Sequence, residues 1–302
     1  MAAPKHSYVS VLVWMLEAAA FDVVCSLTRL FPIDAVSDFG AWVFRTIGPL
    51  TGAHRVAEQN LRIVFPRAGD AEIKTLLRAQ WTELGRSLAE FAIVDRIVSD
   101  SDRIEVCGEA LLGAIAAGGG PVVFISGHFS NFELMAAAIV RAGVKCQVTY
   151  RAMNNPYVDA RVRAVRFKYG VRMFAPKGLE GARELIRALE RGESVALMND
   201  QKFNGGVAAP LFGLMAHTAP GPSTFALRFG IPIVPMSVER LGAAARFRII
   251  VHEPMRLEDT GDRPADIEAG VRRINAFIED RVLARPAEWF WVHRRWPNEV
   301  YR

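Results

Sequence analysis

Residues 121–133 read PVVFISGHFSNFE, an apolar run that breaks at Gly127 and passes at once into His128 and a group of capping residues. The first six positions carry β-branched and aromatic side chains without polar alternation, the texture of a strand covered on both faces of a sheet. Ser130 or Asn131 can cap a helix over about 131–142. A strand running straight into a helix is half of an α/β unit, and open α/β sheets gather their ligands at the carboxyl ends of strands. His128 stands at such an end. Glu133 falls in the first helical turn, close enough to reach back and hold the imidazole. One ring nitrogen would then take a proton from an attacking hydroxyl while the other is fixed by Glu133, the division of labour of a serine hydrolase dyad with the nucleophile on the substrate. An isolated histidine at a helix start is as readily a capping or core residue, so the surrounding chain decides.

Outward from this stretch, short apolar runs alternate with helical ones. Strands are expected at 121–126, 145–150, 194–198, 231–238 and 246–251, with helices at about 131–142, 156–169, 180–190, 219–229 and 265–284. Before residue 100 the texture is helical: Leu76, Leu77, Trp81, Leu84, Leu88 and Phe91 return at three- and four-residue steps, and Phe65-Pro66 separates two helices. The expectation is a mixed α/β sheet flanked by helices, with a helical layer ahead of it. No internal repeat or low-complexity linker divides the chain.

Composition narrows the class. Of 302 residues, 51% are hydrophobic and 23% charged, which excludes a disordered chain and provides for a large core. The formal charge of +5 is carried mainly by arginine and suits phosphate-bearing partners. Cys25, Cys107 and Cys146 sit in apolar surroundings without paired spacing and read as reduced thiols, which puts the catalytic body in the cytosol. The six histidines are dispersed, so no metal site is expected. The chain lacks G-x-S-x-G, H-E-x-x-H, G-x-x-x-x-G-K-[ST] and C-x-x-C, the minimum parts of an ordinary α/β serine hydrolase, a zincin, a P-loop NTPase and a zinc finger.

Residues 8–31, YVSVLVWMLEAAAFDVVCSLTRLF, are long enough to cross a bilayer, which takes about 20 apolar residues, and they lack the basic start and cleavage site of a signal peptide. Glu17 and Asp22 interrupt the run. Each would cost on the order of 3 kcal/mol at the centre of a spanning helix, which favours a helix lying in the interface or packed partly on the protein. The chain is therefore divided into a membrane-associated segment, 1–35, and a domain over 36–302.

Gly127-His128-Phe129-Ser130-Asn131-Phe132-Glu133 has the H-x4-D/E spacing of the glycerolipid-type acyltransferase superfamily. In particular it resembles the GHxGNWE form of the lipid A biosynthesis (lauroyl/myristoyl) acyltransferases. Further blocks are similar to that family in the same order: Asn60-Leu61-Arg62-Ile63-Val64-Phe65-Pro66 to NLxxxFP, Tyr150-Arg151-Ala152-Met153-Asn154-Asn155-Pro156 to YRxxNNP, then Asp200-Gln201, Pro210-Leu211-Phe212-Gly213 with Thr218, and Trp291-Val292-His293-Arg294-Arg295 to W-x-H-R-R. Ser130 stands where glycine is common, Phe132 where tryptophan is common, and Leu211 where a second phenylalanine is frequent.

The resemblance implies a glycerolipid-acyltransferase-like fold and transfer of an acyl group from acyl carrier protein, or coenzyme A, to a hydroxyl of a lipid A precursor at the cytoplasmic face of an inner membrane. No cofactor or nucleic acid is needed. His128 would be the general base and Glu133 its orienter, with activity falling as His128 protonates. Substrate-binding roles fall to Arg151 and Arg166, within a basic segment that includes Arg161, Arg163, Lys168 and Arg172, and to Asn131, Asp200 and Gln201. Asp200 would organise a basic residue, or Gln201 would position the acceptor; amides at the helix start would hold the oxyanion. Trp289, Phe290 and Trp291 read as a core plug, or else as an interfacial anchor. The competing readings are a lysophospholipid or other lipid O-acyltransferase, and a non-enzymatic lipid- or nucleic-acid-binding protein that uses the arginines.

Overall fold

The strand expected at 121–126 is β2, Val123–Ser126, with all four residues buried. It lies at the centre of a seven-stranded sheet in a computed structural model that describes residues 8–171, 174–176 and 178–301. The chain begins with helices α1 (Tyr8–Thr28), α2 (Ile33–Ile47), α3 (Gly52–Val64), α4 (Asp70–Glu90) and α5 (Val94–Ser99). The body follows as β1 (Ile104–Cys107), α6 (Glu109–Ala116), β2, α7 (Glu133–Arg141), β3 (Cys146–Tyr150), α8 (Pro156–Lys168), β4 (Phe174–Pro176), α9 (Leu179–Glu190) and β5 (Ser194–Met198). It closes with β6 (Val207–Leu211), β7 (Leu214–Thr218), α10 (Gly221–Phe229), β8 (Ile233–Arg240), β9 (Phe247–Val251) and α11 (Arg263–Ala284).

The sheet order is β1-β9-β8-β2-β5-β3-β4, parallel between all neighbours except β8 and β9. All five expected strands are present within a few residues. β1 and β4 were not expected: they are the two edge strands, four and three residues long, and too short to carry a period. The hairpin β6–β7 stands apart from the sheet. Its two-residue turn, Phe212-Gly213, has φ of 51° and 77°, the double left-handed turn that matches the twist of a tight hairpin.

The helical layer rests on the contact of α2 with α4. Gly40 and Gly85 face one another, and a Cβ on either would collide with the other's backbone, so the two helices approach closely. This carries the end of α4 into the core, where Glu90 is wholly buried.

α1 lies along the body. Asn155, the cap of α8, donates to the Trp14 carbonyl at 2.9 Å and to Glu17 at 2.8 Å; Asp22 pairs with Arg161 at 2.7 Å and Arg29 with Asp95 at 2.8 Å. Ala18, next to Glu17, is 1% exposed. The carboxylates that interrupt the apolar run are thus engaged by the protein.

Candidate active site

β2 and β5 run parallel in a register that sets Ser126 opposite Met198. Two residues beyond each lie His128 and Asp200. Neighbouring strands stand about 4.8 Å apart, so equal overshoot from paired ends delivers two side chains to one spot. The ladder continues through the Asn199 N–H, which donates to the Ser126 carbonyl at 2.8 Å.

Asp200 is fully buried and takes three hydrogen bonds. Its Oδ1 lies 2.7 Å from His128 Nδ1, and its Oδ2 accepts from the His128 backbone N–H at 2.7 Å and from Trp289 Nε1 at 2.9 Å. Burial alone would push this carboxyl up. The charge and hydrogen bonds of His128 overcome it and hold the group below the usual carboxylate range. With Asp200 ionised, Nδ1 carries a proton, so in the neutral imidazole Nε2 is the acceptor; it has no protein partner among the described residues. Phe132 meets the imidazole edge-on, ring centres 4.9 Å apart, and the imidazole side chain keeps 19% of its surface exposed.

Glu133, expected to hold His128, is turned elsewhere. Its carboxylate receives Arg166 Nε at 3.0 Å, Arg166 Nη2, and the Tyr169 hydroxyl at 2.6 Å. Arg166 is in turn stacked over the Tyr150 ring at 4.6 Å. The physical reason is location: the residues on and just after α8 offer a cation and a phenol to the start of α7, and a bidentate Arg–carboxylate pair outcompetes a neutral imidazole. Burial works against the charged Arg166, yet the Glu133 contact raises its pKa, and the Tyr169 phenol is pushed above its ordinary value by burial and by the same carboxylate.

The loop between His128 and α7 is held from both sides. Gly127 allows the close approach of Phe129, whose ring would lie 2.7 Å from any Cβ there. Ser130, where the family form carries glycine, adopts φ 42°, and its buried Oγ has no hydrogen-bond partner among the described residues. Its N–H donates to the Glu288 carbonyl at 2.7 Å, and the Phe290 N–H donates to the His128 carbonyl at 3.1 Å. Asn131 is buried and donates to Glu90 at 3.0 Å. Glu90 also accepts from Ser37 and, twice, from Arg240 at 2.7 and 3.0 Å. Asn131 is therefore a tie to the helical layer, not a group turned to a substrate.

The C-terminal aromatics form the expected plug. Trp289, Trp291 and Trp296 are each at most 2% exposed. Asn60 holds this strap through the carbonyls of Trp291 and His293, at 2.6 and 2.8 Å, and Arg295 ties it to β7 through the His217 carbonyl and Thr218 Oγ1. Arg295 is buried with no contacting carboxylate among the described residues, and burial pushes its pKa down to about 10. Trp289 is more than filler: its indole fixes Asp200. Nothing in the spacing of the terminal block signals that contact.

The other expected substrate contacts separate. Arg151 lies exposed just past β3, with no ion pair among the described residues, and Gln201 is half-buried beside Asp200. Arg161 is spent on Asp22 and Arg163 on Asp159, so the basic segment is partly neutralised; Arg172 lies outside the described residues.

An apolar cavity of about 80 Å³ opens between α7 and the sheet, walled by Phe132, Met135, Ile139, Val148, Val171 and Leu197, with Glu133 and Arg166 on its lining. Methionines 135, 198 and 236 also face it, and their flexible side chains let such a wall adapt. Among the described residues no group of histidine, cysteine and carboxylate side chains is arranged to hold a metal ion.

The chain is 24% identical over 250 residues to the lipid A biosynthesis lauroyltransferase of Escherichia coli, covering 80% of this chain and 78% of that protein. It is 22% identical to the E. coli lipid A biosynthesis palmitoleoyltransferase over 80% of this chain and 77% of that one, and 23% identical to the lipid A biosynthesis acyltransferase 2 of Shigella flexneri over 95% and 91%. Among solved structures, the 1-acyl-sn-glycerophosphate acyltransferase PlsC of Thermotoga maritima overlaps distantly, at TM-score 0.35 and 13% identity over 78% of this chain and 98% of that chain. The family model for bacterial lipid A biosynthesis acyltransferases matches residues 7–298, nearly the whole length, and the chain belongs to that family of acyl-transferring enzymes.

Proposed function

We propose that this acyltransferase moves a fatty acyl group from an acyl carrier protein thioester, with coenzyme A as the alternative donor, to a hydroxyl of a lipid A precursor. The observation that carries the chemistry is the Asp200 carboxylate on His128 Nδ1, which in the neutral imidazole turns Nε2 into the acceptor at a partly exposed site. In this reading His128 is the catalytic residue and Asp200, rather than Glu133, its positioning partner.

The acceptor hydroxyl gives its proton to His128 Nε2 as its oxygen bonds to the thioester carbonyl carbon. The tetrahedral oxyanion so formed collapses, the C–S bond breaks, and the departing thiolate takes the proton back from the imidazolium. Asp200 stabilises the imidazolium between the two steps and fixes the tautomer. The His128 and Ser130 amides are already engaged, so oxyanion stabilisation falls to the amides of residues 131–133 at the positive end of α7. Acyl carbons enter the cavity beside Phe132, and Arg151 with Gln201 meets the polar part of donor or acceptor. Glu133 and Arg166 shape one wall. The enzyme acts at the cytoplasmic face of the inner membrane, with residues 1–35 as its membrane-associated segment and 36–302 as the catalytic domain.

The test is acyl transfer from acyl carrier protein and coenzyme A thioesters to a lipid A precursor and to lysophospholipids, comparing the wild type with folded His128→Ala and Asp200→Asn proteins. Acylation of the precursor, lost roughly 100-fold or more in both variants, is the expected result. Acylation of lysophospholipids alone replaces the acceptor and keeps the dyad. Variants equal to wild type remove the dyad.

A further inference from the structure

β8 has eight residues and its sheet neighbour β2 has four. Their register pairs Ile125 with Pro235, so β8 runs on past the sheet edge at which His128 stands, and its last residue, Arg240, lies five positions beyond that pair. Arg240 is 1% exposed, with its guanidinium 4.7 Å from the centre of the Phe247 ring. Nη1 and Nη2 donate to the two oxygens of Glu90, and Nε donates to Glu83 at 2.6 Å. Glu90 in turn accepts from Asn131, in the loop after the histidine.

The Arg240 backbone holds the second anchor of that loop. Its N–H donates to Glu288 Oε2 at 3.3 Å, and Arg285 donates both to the Arg240 carbonyl and to Glu288 Oε1. The carbonyl of Glu288 receives the Ser130 N–H. Two consecutive loop residues are thus tied, through separate sets of bonds, to one arginine.

We infer that Arg240 and Glu90 are positioning residues for acyl transfer: acting through Asn131 and Ser130, they fix the backbone at the start of α7 whose amides meet the tetrahedral oxyanion.

Stability alone does not call for this arrangement. Well-packed apolar side chains of similar volume commonly replace a buried ion pair or triad without loss, because removing charges from water offsets their attraction. What the ions supply is direction. The guanidinium is a planar fork of fixed donors, so one side chain orients two carboxylates at once. The Glu90 oxygen that receives Asn131 also receives Arg240 Nη2, and Ser37 donates to the other oxygen at 2.6 Å, so the acceptor for Asn131 is set from several sides. Ser130, at φ 42°, is in a conformation unfavourable to any residue but glycine, and the clamp opposes its relaxation. Oxyanion donors have to be held this closely, since a misplacement of about 1 Å can cost roughly 100-fold in rate.

Two variants separate position from stability. Asn131→Ala cuts the tie and leaves Glu90 its bonds to Arg240 and Ser37. Glu90→Leu with Arg240→Met removes the pair by apolar substitution and should keep or raise the melting temperature. On the acyl-transfer reading above, on which this assignment rests, transfer from lauroyl-acyl carrier protein to a lipid A precursor is measured for both, beside wild type and His128→Ala. Each should lower kcat roughly 10- to 100-fold with KM changed less than about threefold. Affinities are measured for a phosphonate analogue of the lauroyl thioester, tetrahedral at the reacting centre, and for its ketone isostere with CH2 in place of sulfur. The phosphonate should weaken in proportion to kcat/KM and the ketone should not, because displaced amides are missed only by the oxyanion. Folded variants with wild-type kcat, or equal losses for phosphonate and ketone, overturn the assignment. Should the double variant fail to fold, Asn131→Ala decides alone. A His128→Ala protein as active as wild type overturns the acyl-transfer reading and the assignment with it, whereas an inactive His128→Ala protein beside a fully active Asn131→Ala protein overturns the assignment only.

Discussion

The Asp200 carboxylate lies 2.7 Å from Nδ1 of His128, although the two residues are 72 positions apart in sequence. Each stands two residues beyond a paired strand end, Ser126 of β2 and Met198 of β5, and the sheet register is what joins them. A tautomer set in this way is lost when the acceptor oxygen can be replaced by an amide donor. Asp200→Asn should therefore lower kcat by roughly 10²–10⁴ with little change in KM, since the carboxylate acts through His128 and not on the substrate. Steady-state kinetics checks this, and a folded Asp200→Asn protein with near-normal kcat would contradict the assignment.

Glu133 and Arg166 form a nearly buried pair, with side chains 10% and 15% exposed. Glu133→Gln takes the carboxylate away from a guanidinium held against Tyr150 and Phe91, and unfolding in urea should show a loss of about 3 kcal/mol, the cost of breaking such a pair from one side. Replacing both, Glu133→Gln with Arg166→Met, should recover at least half of that loss in a double-mutant cycle.

Ser130 is held at φ 42° with a buried hydroxyl that has no hydrogen-bond partner among the described residues. Glycine removes both costs while keeping the N–H that donates to Glu288. Thermal unfolding of Ser130→Gly should show a gain of about 1 kcal/mol, the left-handed penalty of 1–2 kcal/mol less the added chain entropy of glycine.

Burial pushes the Glu288 carboxyl up to about 7 from 4.5, with Arg285 only partly offsetting it. The unfolded chain releases this proton first. The group's contribution to stability is thus fully present below pH 4.5 and is lost as pH rises through about 7. A neutral isostere does not have that slope. Relative to wild type, Glu288→Gln should gain on the order of 3 kcal/mol between the acid and alkaline ends of this window, at 1.36 kcal/mol per unit, and chemical denaturation at a series of pH values reads the difference. Parallel curves for the two proteins would contradict the prediction.

The stretch 121–133 was legible because its information is local. Unbroken apolar residues, a glycine and a capping group specify strand, turn and helix without reference to the rest of the chain, and so put His128 at a sheet edge. The same holds for the break at Phe65-Pro66 and for the five expected strands. The family motif at Asn60 could be seen but not interpreted, and Asp200 and the terminal tryptophans could be read only in outline, as a group that organises a basic residue and as a core plug. Their roles are contacts between distant segments: Asn60 holds the strap, Trp289 holds Asp200, and Asn131 ties the loop to Glu90.

What the sequence by itself determined about this protein is therefore the class of fold, the family and the place of His128 at a sheet edge. Which carboxylate serves that histidine was decided by tertiary structure. Spacing along a helix made Glu133 reachable from His128, but reach is not preference. The residues of α8 and the turn after it present Arg166 and Tyr169 to Glu133, and the adjacency of β2 and β5 presents Asp200 to His128. Strand order and helix packing are properties of the assembled core, set by where buried surfaces fit together, and no periodicity within one segment encodes them.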